Sequence, residues 1–124
     1  MPRLTPDPVE IERLRKSAPA GPVLIVNLLK FKPGPEGRAA YQRYLDASRQ
    51  VPSAAEVIHS GPAFADVCDG AETWDHVIIA RHPTFEAFAA TVTHPDWQGS
   101  AASHRPEALE RTIMLVTSAG PLSP

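Results

Sequence analysis

Six side chains along this sequence have the chemistry to bind or transform a small molecule. We assign proton transfer to two of them and substrate binding to four: Tyr41 and His104, and Asn27, Trp74, Arg81 and Arg105. Asn27 is the most informative because it interrupts the apolar segment 23–31, and a buried amide without hydrogen-bond partners costs about 1–3 kcal/mol. It could bond a ligand carbonyl or carboxylate, a neighbouring backbone group, or its counterpart in a second copy of the chain.

Two arginines are candidates for binding an anion. Arg81 lies in the otherwise apolar segment 74–82, and a buried guanidinium needs an anionic partner. That partner could be a ligand carboxylate or one of three carboxylates of the chain itself, Asp75, Glu86 or Glu110. The pair His104-Arg105 could also bind an anion, or it could form a turn that packs under the last strand.

Aromatic and histidine side chains leave more than one interpretation open. Tyr41 and Tyr44 share one stripe of a predicted helix, which favours a core role, although their hydroxyl groups could reach a cavity beneath it. Trp74 could close an end of the core or act as a lid over a ligand. The five histidines show neither helical i, i+4 spacing nor clustering with cysteine, so we expect no metal and no cofactor; a haem held by one histidine is an alternative.

The hydrophobic pattern positions these residues on a small set of strands and helices. Strands are predicted at 23–31, 56–68, 74–82 and 109–117, with the second one broken or bulged at Gly61-Pro62. Helices are predicted at 38–50 and from Thr84, and an irregular helical segment at 94–103; residues 33–37 are predicted as a loop. The order β, α, β, β, α, β indicates an α+β ferredoxin-like fold with an antiparallel sheet.

The chain has the length of one domain, preceded by a short extra helix. Asp7 and Pro8 are typical of a helix N-terminus. We therefore divide the sequence into an N-terminal helix and connector at 1–20, the ferredoxin-like domain at 21–119, and a tail at 120–124.

The strands are apolar on both faces, whereas the two core helices can cover only one face. A second copy of the chain packed on the other face is the simplest cover, which predicts a homodimer of the α/β-barrel kind. The alternative is a monomer whose N-terminal helix folds over that face.

Charge and composition argue against several classes of partner. The net charge is −2 and no block of like charge is present, so neither nucleic acid nor a membrane is an expected partner. The longest apolar run is far shorter than the roughly 20 residues of a membrane helix. Cys68 is the single cysteine, which fits a reducing, cytoplasmic location.

Several motifs resemble the family known as domain of unknown function 1330. The similar segments are Pro22–Phe31, Trp74-Asp75 with the strand and helix that follow, His94-Pro95, and His104-Arg105 before the last strand. The resemblance implies a dimeric α/β barrel, among whose larger relatives are cofactor-independent monooxygenases, isomerases and haem enzymes. We therefore expect an oxygenase- or isomerase-type enzyme acting on a small polar or anionic molecule. The alternatives are a non-catalytic ligand-binding or regulatory dimer and a haem-binding protein.

Overall fold

Four strands form one antiparallel sheet in the computed structural model, which describes residues 3–122. The strands are β1 (Val23–Phe31), β2 (Glu56–Pro62), β3 (His76–His82) and β4 (Leu109–Ser118), in the sheet order β2-β3-β1-β4. The helices are α1 (Pro8–Arg15), α2 (Pro35–Ser48), α3 (Phe85–Val92) and α4 (His104–Ala108), with a π-helix at Trp97–Ala101. The ferredoxin-like α+β fold predicted from the sequence is confirmed.

β1 is a central strand and has the bounds predicted from its sequence. It pairs with β3 on one side and β4 on the other. Its odd-numbered residues are buried and its even-numbered residues are partly buried, in strict alternation. The odd-numbered side chains pack with residues of the helices in two core clusters, so they define the helix-covered face of the sheet.

The other element bounds differ from the predictions for identifiable reasons. α2 begins at Pro35, inside the predicted loop, because proline is well suited to the first helical position. β2 ends at Pro62 and not at residue 68, since proline cannot donate to the ladder. β3 begins at His76, two residues after the predicted start, and α4 was not predicted as a separate helix.

The N-terminal helix α1 packs on the helix-covered side of the sheet. It contacts α3, and Ile11 belongs to the same core cluster as Val23, Ile25 and Phe88. Asp7 caps α1 by accepting a hydrogen bond from the Val9 amide at 3.1 Å, as predicted. The alternative of an N-terminal helix folded over the opposite face is therefore wrong. Residues 1–2 and 123–124, at the ends of the predicted N-terminal segment and tail, lie outside the described residues.

The opposite face of the sheet, here called the open face, carries a continuous set of aliphatic side chains. The strand register brings together seven of them: Leu24, Val26, Leu28, Val77, Ile79, Ile113 and Leu115. Ile113 and Leu115 are 41% and 57% exposed. The helices within residues 3–122 pack against the other face. None of these helices is long and apolar enough to cross a membrane.

Candidate functional site

A cleft of about 180 Å³ lies between α2 and α3 on the helix-covered face, where the sequence suggested a pocket. We call it the α2/α3 cleft. Its floor consists of side chains from β1 and β3, namely Ile25, Asn27, Ile78, Ala80 and His82. Residues of α2, α3 and the π-helix form its walls, among them Tyr41, Tyr44, Ser48, Phe88, Thr91 and Trp97.

Asn27 lies on the cleft floor and is only 8% exposed. Its side-chain oxygen Oδ1 has no hydrogen-bond partner in the described chain. A buried acceptor without a partner is costly, so the position favours a donor supplied from outside the chain. This geometry agrees with the predicted binding role of Asn27, which stays a prediction.

His82 is a second buried polar group of the cleft, and the sequence did not single it out as a site residue. It is 5% exposed, and its ring centroid lies 5.3 Å from that of Phe88 in an edge-on arrangement. Its Nδ1 has no hydrogen-bond partner in residues 3–122, and burial lowers the pKa of its ring below the ordinary value. His82 is therefore a neutral imidazole at neutral pH, able to accept or donate a proton.

The two polar groups lie towards opposite ends of the cleft. Asn27 pairs with Ile78, and His82 follows Ile78 by four positions along β3. At about 3.4 Å per residue, the Cα atoms of Asn27 and His82 are roughly 14 Å apart. One ligand would need an elongated shape to contact both groups.

We expect the stability of the protein to fall as the pH is lowered from 7.5 to 5.5, in part because of His82. The unfolded chain binds a proton at His82 near the ordinary pKa of 6.5, whereas the folded chain binds it only at lower pH. The contribution of His82 to the free energy of unfolding is fully present above pH 6.5. It is lost as the pH falls from 6.5 through the lower pKa of the folded state, and the loss does not grow further below that pKa. Urea unfolding at both pH values should show a smaller loss for His82→Gln than for the wild type.

His76 provides the matched control, because burial and the charge of Arg38 also lower its pKa although it lies outside the cleft. His76→Gln should remove a separate part of the pH dependence. An unchanged pH dependence in His82→Gln would contradict the assignment of a depressed pKa to His82.

Tyr41 lies at the α2 side of the cleft and is a hydrogen-bond donor rather than a base. It is 6% exposed, and burial raises the pKa of its hydroxyl, an effect that the positive charge of Arg105 partly opposes. Its ring packs edge-on against Phe31, with centroids 5.5 Å apart, and lies 5.0 Å from that of Tyr44. The phenol therefore stays protonated at neutral pH.

Arg105 and His104 are neighbours on α4 but have different surroundings. Arg105 is 1% exposed; its Nε donates to the Leu4 carbonyl at 2.8 Å, and its guanidinium carbon lies 5.1 Å from the Tyr44 ring centroid. His104 is partly exposed, with Nδ1 3.7 Å from a carboxylate oxygen of Glu107, and it does not line the α2/α3 cleft. The predicted proton-transfer role of His104 thus has no support from the cleft geometry.

Arg81 and Trp74 lie away from the cleft. Arg81 is half-exposed on the open face, with Nη1 4.0 Å from a carboxylate oxygen of Glu56, which was not among the three predicted partners. Trp74 packs under the guanidinium of Arg111, whose carbon is 4.5 Å from the ring centroid. The structure therefore brings Asn27 and Tyr41 together in the cleft, places Arg105 beside Tyr44, and separates Arg81 and Trp74 from them.

A sequence signal for His82 did exist. In β3, His82 alternates with Ile78 and Ala80, which places it on the face opposite Arg81. Among residues 3–122, no group of three or more His, Cys, Asp or Glu side chains is placed to hold a metal ion.

The order of the elements along the chain and of the strands in the sheet defines a ferredoxin-like α+β protein. Solved structures share this fold. A protein of unknown function from Rhodopseudomonas palustris, RPA0582, is 25% identical, with a TM-score of 0.78 and full coverage of both chains. Its methylated form is 27% identical, with a TM-score of 0.80, covering 99% of this chain and 97% of that one.

A third structure, of a dabb family protein with a ferredoxin-like fold from Mesorhizobium loti, is 14% identical, with a TM-score of 0.51; the match covers 83% of this chain and 99% of that one. This likeness concerns the fold. No family model matches the chain, so its resemblance to domain of unknown function 1330 stays a prediction. The search of curated proteins found no match either.

Proposed function

We propose that this protein binds a small, mostly apolar organic molecule in the α2/α3 cleft. The observation that carries the proposal is the pair of buried polar atoms in the cleft that have no partner in the described chain, Asn27 Oδ1 and His82 Nδ1. Small-molecule sites are typically apolar clefts with a few polar groups that fix the orientation of the ligand. A ligand with a donor near Asn27 would satisfy one of these atoms.

The same geometry supports an enzyme of the isomerase or oxygenase type that needs no cofactor. Both reactions can begin by removing a proton from the substrate, and a neutral buried imidazole is suited to accept it. His82 would accept that proton. Only an elongated substrate would also place an oxygen atom within reach of the Tyr41 hydroxyl, because Tyr41 packs against Phe31, at the end of β1 opposite Val23, which pairs with His82. The alternative, a non-catalytic binding protein, uses the same contacts without proton transfer.

Filling the cleft should weaken binding. Ala80 forms part of the floor, between Ile25 of β1 and Val57 of β2, and its small side chain leaves the cleft open. We expect Ala80→Leu to weaken binding of phenol at least about tenfold, a loss of roughly 1.4 kcal/mol. Phenol titrations followed by NMR of the Asn27 side-chain amide and the His82 ring would measure this effect.

The control is Ala39→Leu, which adds the same group at an exposed position of α2. It should bind phenol like the wild type. Toluene, which has the same shape without a hydroxyl group, should bind the wild type more weakly than phenol does. Equal phenol affinity in Ala80→Leu and the wild type would refute the cleft as the binding site.

Binding alone and catalysis can then be separated in deuterium oxide. A catalytic His82 should accelerate exchange of the α-protons of cyclopentanone, and His82→Gln should remove the acceleration. A binding protein would leave the exchange rate of cyclopentanone at its value in buffer.

We also propose that the open face is the contact surface of a homodimer. Support comes from its seven adjacent aliphatic side chains, of which Ile113 and Leu115 are exposed and the other five partly exposed in the single chain. Contiguous apolar surfaces of this kind mark contact sites in soluble proteins. The partner is a second copy of the chain, because two such faces are complementary to each other without any charged match.

A further inference from the structure

Arg105 is a buried cation for which the described chain supplies no anion. Its terminal nitrogens Nη1 and Nη2 are buried and have no hydrogen-bond partner, and within residues 3–122 it forms no ion pair. Its described contacts are the Leu4 carbonyl, the face of the Tyr44 ring and the neutral hydroxyl of Tyr41. The Leu4 carbonyl accepts the hydrogen bond of Nε, and the Tyr44 ring offsets part of the positive charge of the guanidinium.

A guanidinium in this state is destabilising for the fold. Buried charges are normally paired, and an unpaired one costs several kcal/mol even after the surroundings relax. The two free nitrogens form a planar fork that matches the two oxygens of a carboxylate. An anion that arrives from outside the chain would complete the site.

A second cavity, of about 470 Å³, is lined in part by Arg105. We call it the N-terminal cavity, because residues 3–7 and α1 form one wall and β4 forms the other. Its lining is largely apolar and includes Ile11, Leu14, Phe88, Met114 and Val116. Such walls suit an alkyl or aryl group.

The two carboxylates at the rim of the N-terminal cavity, Asp7 and Glu10, form ion pairs with other arginines and not with Arg105. Asp7 is paired with Arg3 at 2.5 Å, and Glu10 is paired with Arg13. Both acidic groups are therefore already compensated by neighbouring arginines. Arg105 remains the cation available to an incoming ligand.

We propose that the N-terminal cavity binds an organic monocarboxylate, with its carboxylate paired to the Arg105 fork and its apolar body between α1 and β4. The terminal nitrogens have almost no accessible surface, so binding requires a local shift. Residues 3–6 are the segment that we expect to move, because Leu4 bonds Arg105 and these residues line the cavity. The hydrogen bond between Arg105 Nε and the Leu4 carbonyl is the contact that now holds residues 3–6 against Arg105. This site is separate from the α2/α3 cleft, although Phe88 and Met114 line both cavities.

The test compares octanoate and 3-phenylpropanoate with octan-1-ol, which has an alkyl chain of the same length but no charge. We expect at least one of the two acids to raise the melting temperature of the full chain and to bind at least tenfold more tightly than octan-1-ol by calorimetry. In Arg105→Met, acid binding should fall at least tenfold, while octan-1-ol binding stays unchanged. The ligand-free variant should melt at or above the wild-type temperature, since the unpaired charge is gone.

Arg105→Lys keeps the charge without the planar fork and serves as a second variant if Arg105→Met does not fold. It should retain part of the acid binding.

Carbon-13 NMR of the carboxyl carbon of the bound acid gives an independent measurement, because the neighbouring guanidinium should lower the pKa of the bound acid below that of the free acid. Equal acid binding by the wild type and by either folded variant, or no binding of either acid to the wild type, would overturn the proposal. Ala80→Leu should leave acid binding unchanged, which separates this test from that of the cleft.

Discussion

Gly37→Ala is expected to destabilise the fold by about 2–3 kcal/mol, although alanine is the better helix former. Gly37 lies in the first turn of α2, and a Cβ atom there would lie 2.6 Å from the Lys32 carbonyl oxygen and 3.0 Å from that of Ala108. Both are backbone atoms, and the Lys32 amide donates to the Ala108 carbonyl at 2.9 Å. The added methyl would force α2 away from this junction of β1 and α4 or break the bond.

Gly99→Ala is the matched control for the same substitution. Gly99 lies in the π-helix, and a Cβ atom there would have no neighbour within 4 Å. This variant should be neutral or more stable by about 0.4–1 kcal/mol, because alanine restricts the unfolded chain more than glycine does. Urea unfolding of both variants measures the difference, and equal stabilities would contradict the predicted close approach at Gly37.

Val26→Lys is expected to convert the proposed homodimer into a monomer. Val26 lies in the middle of the open face, paired across the sheet with Ile79 on β3 and Leu115 on β4. In a dimer formed through the open face its lysine would be buried among aliphatic side chains, and an unpaired buried charge costs several kcal/mol. Sedimentation equilibrium at micromolar concentration should show a dimer for the wild type and a monomer for the variant.

The control for this experiment is Val9→Lys, which introduces the same charge at a position on α1 that is 77% exposed. It should sediment like the wild type. A monomeric wild type would refute the proposal that a second copy covers the open face, and a dimeric Val26→Lys would show that the contact lies elsewhere.

Hydrophobic periodicity predicted the fold because its strongest signals lie on the central elements. β1 is apolar at both parities and has the predicted bounds. The helix predicted from Thr84 is α3, and Thr84 caps it by accepting a hydrogen bond from the Ala87 amide at 3.0 Å. The two largest errors in the bounds of helices and strands lie at ends fixed by proline. Pro35 begins α2, whereas Pro62 ends β2, and the sequence alone did not distinguish these two uses.

The candidate site was less predictable because side-chain direction depends on pairing and on distant segments. The sequence did not determine which face of the sheet Asn27 occupies, because β1 is apolar at both parities. The register of β1 and β3 places Asn27 on the helix-covered face and Arg81 on the other. The burial of Arg105 depends on Leu4, far away in the sequence, which covers it through one carbonyl. No local pattern around Arg105 carries that information.

The sheet order also has a consequence for how the chain is made. β1 is synthesised early, yet its partner β3 follows after α2 and β2, and its other partner β4 is the last strand. One hydrogen-bonding edge of β1 therefore stays without its native partner until residues 109–118 have left the ribosome. Until then the most apolar strand of the protein presents an unpaired edge to other nascent chains, a known route to aggregation. The hydrogen bonding of β1 is therefore complete only after β4 has been synthesised, and a chaperone that covered β1 until then would oppose aggregation.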